Sequence, residues 1–152
     1  FGDVLAYGLG AAKAANQGTA TRADFAARFD NARGIWTPNL SVFRSKGLAW
    51  PVSLRLLERH PYSTQAFLPM TGDGFVVVVA PDAVDGAPDF DRARAFFFPP
   101  GAGVNYRRGL WHHPMLAIGR DADLCMVAWE DGTQGDCEEH PLPGPISVAA
   151  PD

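Results

Sequence analysis

The chain has 152 residues, 47% of them hydrophobic, and a net charge of −4, which suits one domain with a buried core that needs no disulfide staples. No basic run or basic helix appears, which argues against a nucleic-acid partner, and no apolar stretch is long enough to span a bilayer. Cys125 and Cys137 have no metal or redox spacing, so both are expected to be free thiols, one in a strand and one in a loop, in a reducing cytoplasm. The chain begins at Phe1 without a methionine, and an incomplete N-terminus is expected.

In chain order, residues 1–10 read as a short strand closing in glycines, and 11–20 as a small, polar loop. Thr21 with Asp24 resembles a capping pair, and Phe25 and Phe29 stand four apart, so one or two helical turns are expected there. Residues 39–44, 49–60 and 65–70 read as strands, the last two joined by a turn at His60-Pro61. Asp73-Gly74 makes a tight turn before 75–79, a continuous β-branched run typical of a strand covered on both faces. An aspartate- and proline-rich loop at 81–91 precedes strands at 94–98, 104–106, 110–118 and 124–129. The acidic, proline-rich tail, 131–152, is expected to be an extended arm of a single domain covering 1–152. Many short strands at close spacing with glycine and proline turns imply an all-β sandwich or barrel.

The strand at 49–60 carries the most information. Val52, Leu54 and Leu56 alternate with Ser53 and Arg55, and period two places Glu58 and His60 on the aliphatic side. A carboxylate and an imidazole facing a core must be paired, hydrogen-bonded or ligating. The competing expectation is that the alternation ends at Leu56 and the strand leaves the core.

The spacing Glu58-x-His60, four residues, Gln65, six residues, Gly72 resembles the first cupin motif, with Glu for the first His and Gln for the usual Glu. Gly101, five residues, Arg107-x-Gly109, two residues, His112 resembles the second, with Arg107 for the expected proline and Leu116 for the usual Asn. Together they are similar to a cupin-type double-stranded β-helix, or jelly-roll barrel, with one or two short helices. In that frame Glu58, His60, Gln65 and His112 converge as two imidazole nitrogens and two oxygens. Such a set suits a divalent metal such as nickel, manganese or zinc, held weakly or exchangeably. The alternative is a cupin without a metal that uses the same groups for acid–base work. His113 and Arg59 should face away from the site, Trp111 should pack near the pocket edge, and Arg94 reads as ordinary surface.

The strings Glu58-Arg59-His60-Pro61, Gln65-Ala66-Phe67-Leu68-Pro69, 75–79, Gly103-Val104-Asn105-Tyr106 and Trp111-His112-His113-Pro114 resemble the ureidoglycolate lyase family. Weaker matches at 1–4 and 39–41 extend the resemblance over nearly the whole chain, with 11–31 least recognisable. It implies a homodimeric carbon–nitrogen lyase of allantoin and purine degradation, acting on a small ureido acid and releasing glyoxylate and urea. Glu58 or His60 would then be the base and His112 the acid. Gln65, Tyr106 and Trp111 would contact the substrate, and Arg107 or Arg108 would grip its carboxylate. Arg107 stands where the family often has His. A metal-dependent cupin isomerase or oxygenase, or a cupin that only binds a small molecule, is the alternative.

Overall fold

A computed structural model describes residues 1–151. Its strands are β1 Gly2–Leu5, β2 Ala12–Ala15, β3 Ala20–Ala23, β4 Thr37–Ser45, β5 Val52–Arg59, β6 Gln65–Pro69 and β7 Phe75–Ala80. They continue with β8 Arg94–Phe98, β9 Gly103–Tyr106, β10 Trp111–His112, β11 Leu116–Ala117, β12 Ala122–Glu130 and β13 Glu138–Val148. The helical segments among the described residues are two 3₁₀ turns, Asn16–Gly18 and Phe90–Arg92. The expected all-β architecture is present.

Two antiparallel sheets face each other. One runs β1-β9-β6-β12-β4; the other runs β11-β7-β10-β5-β13, with β8 on the far side of β7. Period two explains the division of residues: Ala122, Leu124, Met126 and Ala128 of β12 point inward, and the residues between them point outward. They meet Phe75, Val77 and Val79 of β7 across the barrel. Val76 and Val78, on the other face of β7, join Val52, Leu54 and Ile118 in an outer core. Every residue of β7 is therefore buried, as its unbroken apolar run requires.

Five expectations change. The segment 11–20 is not a loop, because β2 and β3 pair as a hairpin across a turn with Asn16, Gln17 and Gly18 at positive φ. No helix forms around 21–29. Thr21 is opposite Ala14 in the ladder, Asp24 binds Lys13 and Arg22 instead of capping, and Phe25 takes a left-handed φ of 55°. The strand expected at 110–118 is split into β10 and β11, since Pro114 has no N–H to give the ladder. The tail is not a free arm. Its β13 pairs with β5 at the sheet edge, where Pro141, Pro143 and Pro145 are tolerated.

The fifth change concerns the parity of β5. Leu54 and Leu57, three apart, line the same outer cavity with Val78, so the alternation slips at Leu56. The partner strand shifts register over the same stretch, between Pro141 and Ile146. Glu58 therefore lies on the opposite face from Val52, Leu54 and Leu57. It still points into the barrel, but not alongside the aliphatic residues that suggested it.

Candidate active site

The register defines a layer at one end of the barrel. Across one sheet Arg94, Val79, His112, Glu58 and Glu139 stand directly opposite one another on β8, β7, β10, β5 and β13. Across the other sheet the row is Gly2, Tyr106, Gln65, Ala128 and Asn39. Directly opposed residues share a face. Val79, Tyr106 and Ala128 belong to the inner core, which turns the middle of both rows inward, while Arg94, Glu139, Gly2 and Asn39 are exposed at the row ends.

His112 is 1% exposed, and its ring stacks on Tyr106 with centroids 4.1 Å apart and planes at 16°. Its Nδ1 lies 2.8 Å from the Leu110 carbonyl oxygen. His60 is arranged alike, with Nδ1 2.6 Å from the Asp136 carbonyl oxygen. A carbonyl can only accept, so both rings carry a proton on Nδ1 and turn Nε2 to the interior. The Nε2 atoms of both histidines and the Oε1 of Gln65 are buried without hydrogen-bond partners. The His112 Nε2 is 3.6 Å from Glu58 Oε1, too long for a hydrogen bond. The two imidazole rings are 5.4 Å apart, and Glu58, His60 and His112 can each offer a donor atom within 4.8 Å of the others.

Burial controls the electrostatics. It lowers the His112 pKa to about 3, with His60 adding to the effect, so His112 is a neutral imidazole. Burial also raises the Glu58 carboxyl, against the pull of His60 and with a small push from Glu139. The Tyr106 hydroxyl is pushed well above its ordinary range by burial and then by Glu58. It donates to the Met115 sulfur at 3.4 Å, so Tyr106 reaches the site mainly through its ring.

The other expected site residues are dispersed. Trp111 is on the opposite face of the sheet, packed with Leu57 and Ala80, and its indole N–H donates to the Gly86 carbonyl. The expected substrate contact from Trp111 is thereby corrected: it is one residue out of phase with His112. Arg107 and Arg108 are exposed on the β9–β10 loop, and Arg108 is 3.6 Å from Asp30. Gly109 ties that loop to the site, taking φ +75° and donating its N–H to the His60 carbonyl at 2.8 Å. Arg59 faces away as expected, bound to Glu138 and Asp82 and lying 4.4 Å over the Trp111 ring. His113 also faces away, but it is buried, not superficial.

Asp136, which sequence reasoning missed, is 8% exposed. Its carboxylate accepts from the Tyr62 N–H and the Ser63 hydroxyl at 2.7 and 2.6 Å, while its carbonyl fixes His60. An acidic tail without periodicity gave no local signal for that role. Cys137, also missed, brings its thiol near Glu58 and Glu139. Burial and the surrounding carboxylates push that thiol up to about 11, which keeps it protonated.

The solved 3,4-ketoisomerase from Helicobacter canadensis resembles the chain at a TM-score of 0.51 and 16% identity, covering 89% of this chain and 87% of that one. The likeness is one of fold, and with the two facing sheets it marks a cupin-type jelly roll. A ureidoglycolate lyase from Pseudomonas syringae pv. tomato is 39% identical over 140 residues, 92% of this chain and 81% of the relative. Another, from Pseudomonas entomophila, is 38% identical over 143 residues, 94% and 84% respectively. The family model described as ureidoglycolate lyase matches residues 1–149, and the chain belongs to that family.

Proposed function

We propose that the chain cleaves ureidoglycolate to glyoxylate and urea, a step of allantoin and purine degradation. The observation that carries the reading is the set of buried, unpartnered atoms in a member of this family: His60 Nε2, Gln65 Oε1 and His112 Nε2 around Glu58. Unpaired polar atoms are costly in a core, so a site that keeps several is arranged to meet a polar ligand.

The elimination needs a base for the carbinol hydroxyl proton and an acid for the departing nitrogen. The electron pair of the O–H bond becomes the carbonyl of glyoxylate as the carbon–nitrogen bond breaks, and urea leaves with the added proton. For Glu58 and His112 the roles favoured here are opposite to those the resemblance implied, while His60 keeps its place as a candidate base. The bare Nε2 of neutral His112 has no proton to give and can only accept one, and His60 turns its Nε2 to the same interior. Glu58, whose carboxyl is raised by burial, is the better acid. Gln65 orients the substrate.

The same atoms fit a first-row divalent ion, since two imidazole nitrogens, an amide oxygen and a carboxylate make a mixed donor set. Nickel, manganese or zinc held by Glu58, His60, Gln65 and His112 would supply Lewis acidity.

The working form is a cytoplasmic homodimer. Leu40, Val42 and Leu68 are exposed on the outer face of the five-stranded sheet and offer an apolar surface for a second copy. Two free thiols accord with the compartment. Among the described residues, no helix is long and apolar enough to cross a membrane.

The test is glyoxylate and urea release from racemic ureidoglycolate in anaerobic buffer, first with chelator and then with nickel or manganese restored. Equimolar glyoxylate and urea without ammonia is the expected result. Ammonia would indicate an amidohydrolase, and no turnover in either arm would remove the lyase reading in favour of a binding cupin. Oxygen dependence would favour an oxygenase.

A further inference from the structure

We propose that Arg94, assisted by Arg107, forms an anion subsite that holds the substrate's carboxylate at the rim of the His112–Glu58 layer. Naming the anion rests on the lyase reading; the presence of an anion site does not.

The register is the first ground. Arg94 opposes Val79, which opposes His112, which opposes Glu58. Phe98 of the same strand belongs to the inner core, which sets the face. Arg94, exposed on the edge strand and also bordering the outer cavity with Leu54 and Leu57, starts on that face two strand spacings, about 10 Å, from His112. That separation suits a two-carbon acid whose carboxylate meets the guanidinium and whose carbinol carbon lies beside the imidazole.

Unpaired charge is the second ground. Arg44, Arg59, Arg92, Arg108 and Arg120 each face a carboxylate. Among the described residues Arg28, Arg33, Arg55, Arg94 and Arg107 do not, and of these Arg94 and Arg107 share a cavity; the Arg94 guanidinium donates only to the Ala93 carbonyl at 2.9 Å. Arg94 and Arg107 line a common cavity of about 410 Å³ beside Phe1 and Pro81. Phe1 also borders the cleft between β1 and β8, about 330 Å³, whose floor includes Val79 and Tyr106 of the candidate site layer. The cationic cavity and the cleft that reaches the inner layer thus share Phe1 as a wall.

Polarity is the third ground. The row has a guanidinium at its β8 end and, beyond Glu58, the exposed Glu139 carboxylate at its β13 end. An anionic substrate is attracted at one end and repelled at the other. The ureido group is then directed toward Glu58, where a departing nitrogen needs its proton, and the hydroxyl-bearing carbon lies near His112. Arg94 is a binding residue of that arrangement; Arg108, held by Asp30, is not required.

The experiment measures steady-state kinetics on ureidoglycolate and, separately, binding of glyoxylate by calorimetry to wild type, Arg94→Met, Arg94→Lys and Arg107→Met. Arg120→Met, whose guanidinium is engaged by Asp73, is the control. Loss of a charge-assisted pair predicts a rise of about 10–100-fold in KM and in the glyoxylate Kd for R94M, with kcat changed less than about fivefold. R94K should recover most of the loss, R107M should show a smaller rise, and R120M none. A KM and Kd within twofold of wild type in R94M would overturn the subsite, and so would wild-type protein that binds no glyoxylate. Arg94-dependent glyoxylate binding without turnover would uphold the subsite and remove the lyase reading. Turnover with an R94M KM equal to wild type would do the reverse.

Discussion

The sheet through β5, β7 and β10 has two faces assembled from alternate residues of the same strands, and they treat polar groups in opposite ways. On the outer face Arg59 is bound by Glu138, Asp82 and the Gly86 carbonyl, and the Trp111 indole also donates to Gly86. On the inner face, beside Glu58, His60 and His112 keep Nδ1 bonded and Nε2 without a partner. Adjacent residues thus divide the work: a satisfied polar cluster is architecture, and an unsatisfied one is poised for a ligand. Trp111 and His112 are neighbours in sequence and belong to different parts of that division.

The comparison breaks most sharply at Glu58. Glu58→Gln should lower kcat by about 10²–10⁴-fold by removing the acid. Its stability should be equal to or above wild type at neutral pH. The sign follows from the raised carboxyl: the folded state holds that proton more tightly than the unfolded chain does, so stability from Glu58 is present at low pH and lost as pH rises past the ordinary carboxylate range. Gln escapes that loss. Thermal melts and glyoxylate assays on one sample check both halves.

The outer face should show the reverse pattern. Trp111→Ala, emptying the cluster with Leu57 and Ala80, should cost about 3–5 kcal/mol of unfolding free energy while leaving kcat per folded molecule nearly unchanged. Denaturation midpoints and active-site titration separate the two effects.

A third consequence concerns acid. His112 is neutral when folded, with its pKa lowered to about 3, and takes up a proton near pH 6.5 when unfolded. Its contribution is complete above pH 6.5 and declines as pH falls toward 3, by up to about 1.4 kcal/mol per unit. In chelator-treated protein His112→Gln should flatten that slope, read by urea denaturation from pH 7 to pH 4. The smallest effect is expected at Arg59: Arg59→Met should remove about 1 kcal/mol or less, because both carboxylate partners are largely exposed.

The sequence makes some of this legible and hides the rest for identifiable reasons. Glu58, His60 and Gln65 are readable because their relation is local: two alternate strand positions and a hairpin return. The six-residue run of β7 announces burial on both faces. His112 is readable through glycine spacing, and the same period-two logic that sends His113 outward also sends Trp111 outward. Asp136 and Arg94 are invisible because their roles depend on registers across distant strands, which no local pattern encodes. The slip at Leu56 is legible only in part: an end of the alternation there is the competing expectation, but the inward turn of Glu58 after it is matched by an irregularity in β13, eighty-odd residues away, which no local pattern encodes. The hairpin at β2 and β3 is hidden by alanines that fit helix, strand and loop alike, while Asn-Gln-Gly at its tip is the one turn signal.

The most direct test of the inner-face arrangement is the ¹⁵N shift of the His60 and His112 side chains in chelator-treated protein at pH 7. The predicted result is a proton on Nδ1 of each ring and, at His112, a neutral ring with bare Nε2 whose signals are unchanged down to about pH 4. A His112 imidazolium at pH 7, or a ring protonated on Nε2 and not on Nδ1, would contradict the arrangement.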